Sequence, residues 1–104
     1  MQEITPLELK ELIDSKADFQ LIDVREPHEV EIATIGGENI PMGDVMDSLD
    51  KIDKNKKVVI YCRSGNRSGA IINALMNEGF NNLYNLKGGI LAYADDVDDS
   101  LMKY

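Results

Sequence analysis

The strongest constraint in the sequence is the short segment Val58–Tyr61, in which apolar and aromatic residues follow one another without any alternating polar residue. A strand with one face in water alternates apolar and polar residues, whereas a strand buried on both faces does not. Strands of the second kind lie in the middle of parallel sheets that helices cover on both sides. The segment therefore predicts a layered α/β protein with 58–61 as a central strand.

The rest of the chain alternates helical and extended patterns around this strand. Thr5 and Glu8 form a capping-box pattern with Pro6 at the first helical position, which predicts a helix over about 6–16. The other expected elements are strands at 19–24, 39–40 and 83–86, and helical segments at 41–49, between the 62–68 loop and Gly79, and at 90–97. We expect one domain, 1–104, with a central, mostly parallel sheet flanked by helices on both faces.

Composition narrows the possible partners and the compartment. The 11 basic and 19 acidic residues give a net charge of −8, which argues against nucleic acid and anionic membranes as partners. No segment approaches the roughly 18 to 20 apolar residues of a membrane helix, and the first residues do not resemble a secretory signal. Cys62 is the single cysteine, so no internal disulfide can form, and we expect a cytoplasmic location.

Cys62 follows the buried strand directly, at the edge of a parallel sheet where ligands bind. A helix N-terminus and nearby arginines, here Arg63 and Arg67, favour the reactive thiolate. Gly65 and Asn66 tolerate left-handed backbone, so the N–H groups of the loop can turn inward as an anion-binding nest. We interpret Cys62 as a nucleophile beside an anion site. The alternative, a buried structural cysteine, gives the two arginines no role.

The length of the loop separates two kinds of chemistry. Four residues, 63–66, stand between Cys62 and Arg67, one fewer than between the cysteine and arginine of the phosphatase signature. A tetrahedral phosphate needs the wider loop, whereas a tighter nest suits a single sulfur atom carried on the cysteine as a persulfide. Sulfur transfer is therefore favoured over a phosphatase or arsenate reductase-like activity.

Three segments resemble the rhodanese family of single-cysteine sulfurtransferases. Leu21–Glu29 is similar to the first family signature, Val59–Ser68 to the active-site strand and loop, and Leu86–Ile90 with Ala92 to the closing glycine motif. The likeness covers nearly the whole chain. The segments Ile35–Glu38 and Gly88–Asp95 most resemble the rhodanese module at the C-terminus of enzymes that adenylate sulfur-carrier proteins.

The resemblance implies a rhodanese-like fold and a thiosulfate:cyanide sulfurtransferase-like activity. Cys62 would take the outer sulfur of thiosulfate or of a protein persulfide and pass it to a thiol, cyanide or a sulfur-carrier protein. Arg63 and Arg67 would attract the anionic donor, and no metal or organic cofactor would be needed. The backbone N–H groups that would cradle the sulfur belong to Arg63, Ser64, Gly65, Asn66, Arg67 and Ser68.

Two further residues are expected to support the site rather than to react. Asp23 lies at the carboxyl end of the strand predicted at 19–24, and we expect it to pair with Arg25 or to accept from loop N–H groups. His28, the single histidine, lies among glutamates and is expected at the surface. One alternative to an enzyme stays open, namely a sulfur-relay or docking module that a separate adenylating or desulfurase protein loads.

Overall fold

The computed structural model describes all 104 residues and contains one five-stranded sheet. The strands are β1 (Gln2–Ile4), β2 (Gln20–Asp23), β3 (Glu38–Asn39), β4 (Val58–Tyr61) and β5 (Leu83–Leu86). Their order across the sheet is β1-β5-β4-β2-β3, and all four neighbouring pairs are parallel. The predicted parallel sheet is confirmed, with β4 at its centre.

The helices are α1 (Pro6–Asp14), α2 (Pro27–Ile32), α3 (Asn66–Asn77) and α4 (Gly89–Asp96), with two 3₁₀ helices at Met42–Asp47 and Leu49–Lys51. All helices except α4, which follows the last strand, lie in the connections between parallel strands. Thr5 and Glu8 form the predicted capping box of α1. None of these helices is long and apolar enough to cross a membrane.

The side chains of β4 alternate between two separate hydrophobic cores, although all four are buried. Val58 and Ile60 pack in the core that includes Ile72 and Leu75 of α3. Val59 and Tyr61 pack in the core that includes Leu9 of α1 and Ile90 and Tyr93 of α4. Helices therefore cover both faces of the sheet, which confirms the three-layer arrangement. An apolar residue is needed at every position of β4 because both faces of the strand are buried from water.

Besides shifts of one or two residues at the ends of elements, the structure differs from the sequence prediction at β1 and at the segment 41–49. β1 was not predicted, because it has only three residues and buries only Ile4. It joins the sheet by parallel pairing with β5, a contact between distant parts of the chain. The helical segment expected at 41–49 consists of the two 3₁₀ helices, Met42–Asp47 and Leu49–Lys51, broken at Ser48.

Candidate active site

The loop between β4 and α3 begins at Cys62 and is held from outside by the start of α4. The carbonyl of Cys62 accepts from the N–H of Ile90 at 3.0 Å, and that of Arg63 accepts from the N–H of Leu91 at 3.2 Å. A Cβ at Gly89 would overlap the Arg63 carbonyl oxygen and lie 2.7 Å from that of Cys62. Only glycine permits this close approach of α4 to the loop. The approach lets N–H groups at the start of α4 bond to the carbonyls of Cys62 and Arg63.

The N–H groups on the other side of the loop converge on the Cys62 sulfur. Sγ accepts from the N–H of Gly65 at 3.1 Å and from that of Ser68 at 3.4 Å, and the Ser68 hydroxyl lies 3.4 Å away. Gly65 has φ +106°, a left-handed conformation that turns the chain into α3. These N–H groups form a nest around the sulfur of Cys62, a residue that is only 1% exposed.

Two opposing effects act on the pKa of Cys62. Burial raises it, because a thiolate loses hydration in the interior. Hydrogen bonds from the Ser68 hydroxyl and from the N–H groups of Ser68, Gly65 and Ser64 lower it and outweigh burial, so the pKa lies below its ordinary value. None of these bonds comes from an arginine. The thiolate is stabilised mainly by backbone and hydroxyl dipoles rather than by the arginine charges that the sequence suggested.

Asn85 on β5 is a site residue that the sequence analysis missed. It is buried, its Oδ1 accepts from the Ser68 hydroxyl at 2.6 Å, and its Nδ2 donates to the Gly65 carbonyl at 3.1 Å. The Gly65 carbonyl can only accept, which fixes the orientation of the amide. A polar residue inside the otherwise apolar segment 83–86 was the one available signal.

The Ser68 hydroxyl has one proton and three possible acceptors, which are Asn85 Oδ1 at 2.6 Å, the Gly65 carbonyl at 3.3 Å and Cys62 Sγ at 3.4 Å. While it donates to Asn85, it can only accept from Cys62, which suits the protonated thiol. When the sulfur ionises, the hydroxyl must rotate toward Sγ to stabilise the charge. Ser68 is thus placed to adapt to either state of the thiol without moving its backbone.

The charge of Arg67 is paired with a carboxylate and is not free to act at the Cys62 nest. Its two terminal nitrogens donate to the Glu29 carboxylate at 2.7 and 2.8 Å. This bidentate pair holds the pKa of Glu29 down at about 2, against its burial, and raises that of Arg67. Arg63 forms no ion pair and is exposed, so it is the loop arginine whose charge is left unbalanced.

Asp23 and Arg25 form the predicted ion pair. The Arg25 guanidinium, 0% exposed, lies 2.8 Å from Asp23 and also donates to the Ala33 carbonyl at 2.8 Å. No hydrogen bond joins this pair to Cys62. His28 is exposed, as predicted. Ser64 and Asn66 are also exposed, so their side chains lie on the outer surface of the loop.

The large cavities of the molecule lie away from Cys62. The largest, about 630 Å³, is lined by residues of β1, β5 and α1, among them Glu3, Glu8 and Glu11. No residue of the 62–68 loop lines any of the three cavities. None of the three cavities therefore opens onto the Cys62 nest. No group of three or more His, Cys, Asp or Glu side chains could hold a metal ion.

The sequence model of the rhodanese-like domain family matches residues 5–96 of this chain. The chain belongs to the rhodanese-like domain family. YtwF of Bacillus subtilis, a putative sulfurtransferase, is 38% identical over 98 residues, which cover 93% of this chain and 94% of that protein. A rhodanese-like domain protein from Staphylococcus aureus has a similar structure, with a TM-score of 0.83 and 31% identity over 93% of this chain and 95% of the other. These relatives confirm the resemblance and the fold.

The rhodanese-like domain also occurs within larger proteins. MoeZ of Mycobacterium tuberculosis, a probable adenylyltransferase/sulfurtransferase, is 35% identical over 104 residues, which cover 97% of this chain. This chain spans only 26% of the length of MoeZ. The expected likeness to rhodanese modules of adenylating enzymes is therefore confirmed. Family membership and the sulfurtransferase relatives support sulfur transfer as the general activity.

Proposed function

We propose that this rhodanese-like domain is a sulfurtransferase that carries sulfur as a persulfide on Cys62. The observation that supports this most is the Cys62 nest, in which N–H groups of Gly65 and Ser68 meet a sulfur whose pKa is lowered. A nucleophile needs its thiolate form, and the same donors can hold the charge of a terminal persulfide sulfur. One set of hydrogen bonds thereby serves both states.

The proposed first step is attack of the Cys62 thiolate on the outer sulfur of thiosulfate. A bond forms between Sγ and the outer sulfur, while the bond between the two thiosulfate sulfurs breaks and its electron pair leaves with sulfite. In the second step cyanide or a thiolate attacks the outer sulfur, and Cys62 leaves as a thiolate. No net oxidation is required, because the transferred sulfur enters and leaves at the sulfane level. Cys62 is then ready for another donor.

Each loop residue has a proposed role in these steps. Arg63 attracts the anionic donor, because it is exposed and unpaired. The N–H groups of Ser64, Gly65 and Ser68 hold the sulfur, and that of Asn66 is proposed to join them when the persulfide forms. The pair of Arg67 with Glu29 fixes the first turn of α3. Asp23 and Arg25 hold the end of β2 in place. The single cysteine also supports a reducing compartment, the cytoplasm.

A sulfur-relay module is the second candidate, and the similarity to MoeZ favours it. In that case the persulfide of a partner protein loads Cys62: the Cys62 thiolate attacks the outer sulfur, the partner cysteine leaves as a thiolate, and thiosulfate is a poor donor. A phosphatase is less favoured, because only four residues stand between Cys62 and Arg67. Hydrolysis of an aryl phosphate that is lost in Cys62→Ser would reverse that preference.

The test is steady-state turnover with two donors, thiosulfate and a protein persulfide, and cyanide as acceptor. We expect thiocyanate from thiosulfate in the wild type and none from Cys62→Ser. Turnover only with the protein persulfide would support the relay candidate. Thiocyanate formation that survives in Cys62→Ser would refute both.

A further inference from the structure

Tyr104 lies beside the loop, although 41 positions separate it from Arg63. The Arg63 guanidinium lies over its ring, with 5.0 Å between Cζ and the ring centroid. The guanidinium of Arg25 lies 5.9 Å from the same centroid. Arg63 forms no ion pair, so the ring is the partner that the structure gives to its charge.

The hydroxyl of Tyr104 is held by two charged groups. It accepts from Arg25 Nη1 at 2.9 Å and donates to Glu29 Oε1 at 3.0 Å. Both groups are themselves fixed, because Arg25 is fully buried against Asp23 and Glu29 is paired with Arg67. The ring therefore stands at a defined place between the end of β2 and the active-site loop.

This arrangement limits the freedom of Arg63. An exposed arginine samples many rotamers and loses that freedom when it binds an anion. A cation on an aromatic face is attracted to the ring, and the guanidinium keeps N–H groups free for an oxyanion while it lies over the ring. Contact with a fixed ring therefore prepares Arg63 for an anion before the anion arrives.

We propose that Tyr104 is a positioning residue that holds Arg63 at the mouth of the Cys62 nest and thereby favours anionic over neutral reactants. The proposal rests on the proposed function for its physiological meaning, in which the anion is the sulfur donor. Tyr104 acts on the encounter with the donor and leaves the nucleophile itself unchanged. It should alter KM for thiosulfate but not kcat.

The test compares alkylation of Cys62 by iodoacetate and iodoacetamide, which differ in charge but react in the same way. In Tyr104→Leu, we expect the iodoacetate rate to fall by about two- to fivefold at low ionic strength, the strength of an exposed cation–ring contact. The iodoacetamide rate and its pH profile should not change. KM for thiosulfate should rise by a similar factor, and Tyr104→Phe, which keeps the ring, should lie between.

Two controls separate positioning from a general loss of structure. In an Arg63→Gln background, Tyr104→Leu should have no further effect on the ratio of the two rates. Tyr84→Leu removes another ring with a cation over it, because Lys57 Nζ lies 4.7 Å from the centroid of the Tyr84 ring. This substitution should leave the ratio of the two alkylation rates unchanged.

An unchanged rate ratio in Tyr104→Leu would overturn the proposal, as would a parallel fall of both rates. The alkylation assay requires no sulfur transfer. A wild type that forms no thiocyanate therefore refutes the proposed function, whereas an unchanged ratio in an active wild type refutes only the role of Tyr104.

Discussion

The reactivity of Cys62 depends on a few hydrogen bonds that a single substitution can remove. The Ser68 hydroxyl lies 3.4 Å from Sγ and lowers the pKa of the thiol, as do the neighbouring N–H groups. In Ser68→Ala the backbone donors remain, but the hydroxyl is lost. This substitution therefore separates the contribution of the Ser68 hydroxyl to the pKa of Cys62 from that of the backbone N–H groups.

We expect Ser68→Ala to raise the pKa of Cys62, because burial is then opposed by fewer donors. The pH dependence of iodoacetamide alkylation measures this, and its midpoint should move to higher pH than in the wild type. Ser64→Ala is the matched control, since the Ser64 side chain is exposed and only its N–H group faces the sulfur. Equal midpoints in wild type and Ser68→Ala would mean that the hydroxyl stays with Asn85.

Glu29 should make stability depend on acid pH. Its folded pKa of about 2 lies below the ordinary 4.5, so its contribution is fully present above pH 4.5 and is lost as the pH falls through 2. Glu29→Gln should lower the free energy of unfolding at pH 7 by up to about 3 kcal/mol. Urea unfolding at pH 7, 4 and 2 measures the difference, which should shrink toward zero at the lowest pH. A constant difference across these pH values would argue against the pair of Glu29 with Arg67 as its cause.

At the scale of elements, the active-site loop depends on how closely α4 approaches β4. Gly89 has φ +64° and faces the carbonyls of Cys62 and Arg63. These two carbonyls accept from the first turn of α4, so the helix start and the loop form one unit. A side chain at this position must move one of them.

We expect Gly89→Ala to cost at least about 2 kcal/mol of unfolding free energy, since left-handed strain and overlap with backbone act together. It should also slow alkylation of Cys62 at neutral pH, because the loop donors lose their alignment. Gly43→Ala is the matched control, as a Cβ there meets nothing within 4 Å and its φ is not positive. Thermal unfolding and alkylation of both variants give the comparison. Equal effects of the two substitutions would contradict the close approach of α4.

Elements whose signals come from residues close together in the sequence were predictable. The capping box of Thr5 and Glu8, and Gly79 just after α3, are local signals, and the structure contains both. β4 was predictable because four apolar residues in a row indicate burial on two faces. β1 was not, since three residues with one buried side chain form a strand only where β5 pairs with them.

The same distinction applies to the site. Cys62 and its loop lie in one short segment, so their pattern was readable. Asn85 is 17 positions from Ser68, and Tyr104 is 75 positions from Glu29. Arg67 was expected to attract the anionic sulfur donor. Its partner Glu29 lies on another element, 38 positions away, so the ion pair was not apparent from the sequence. Partners of this kind depend on the packing of α2, α3 and β5, which no local pattern in the sequence records.

At the scale of the whole molecule, a net charge of −8 coexists with a site proposed to bind anions. Asp23, Arg25, Glu29 and Arg67 balance one another in a connected set of hydrogen bonds. Arg63 is left as the unpaired charge of the loop. The acidic surface should discourage bulk polyanions, whereas the local charge of Arg63 still attracts a small one.

If Cys62 carries the transferred sulfur, intact-mass spectrometry after one incubation with thiosulfate should detect it. We expect a gain of about 32 Da, one sulfur atom, on Cys62, and its removal by cyanide with release of thiocyanate. Cys62→Ser should gain nothing. A folded wild type whose Cys62 is alkylated readily, yet gains no mass from thiosulfate or from a protein persulfide, would contradict sulfur transfer through Cys62.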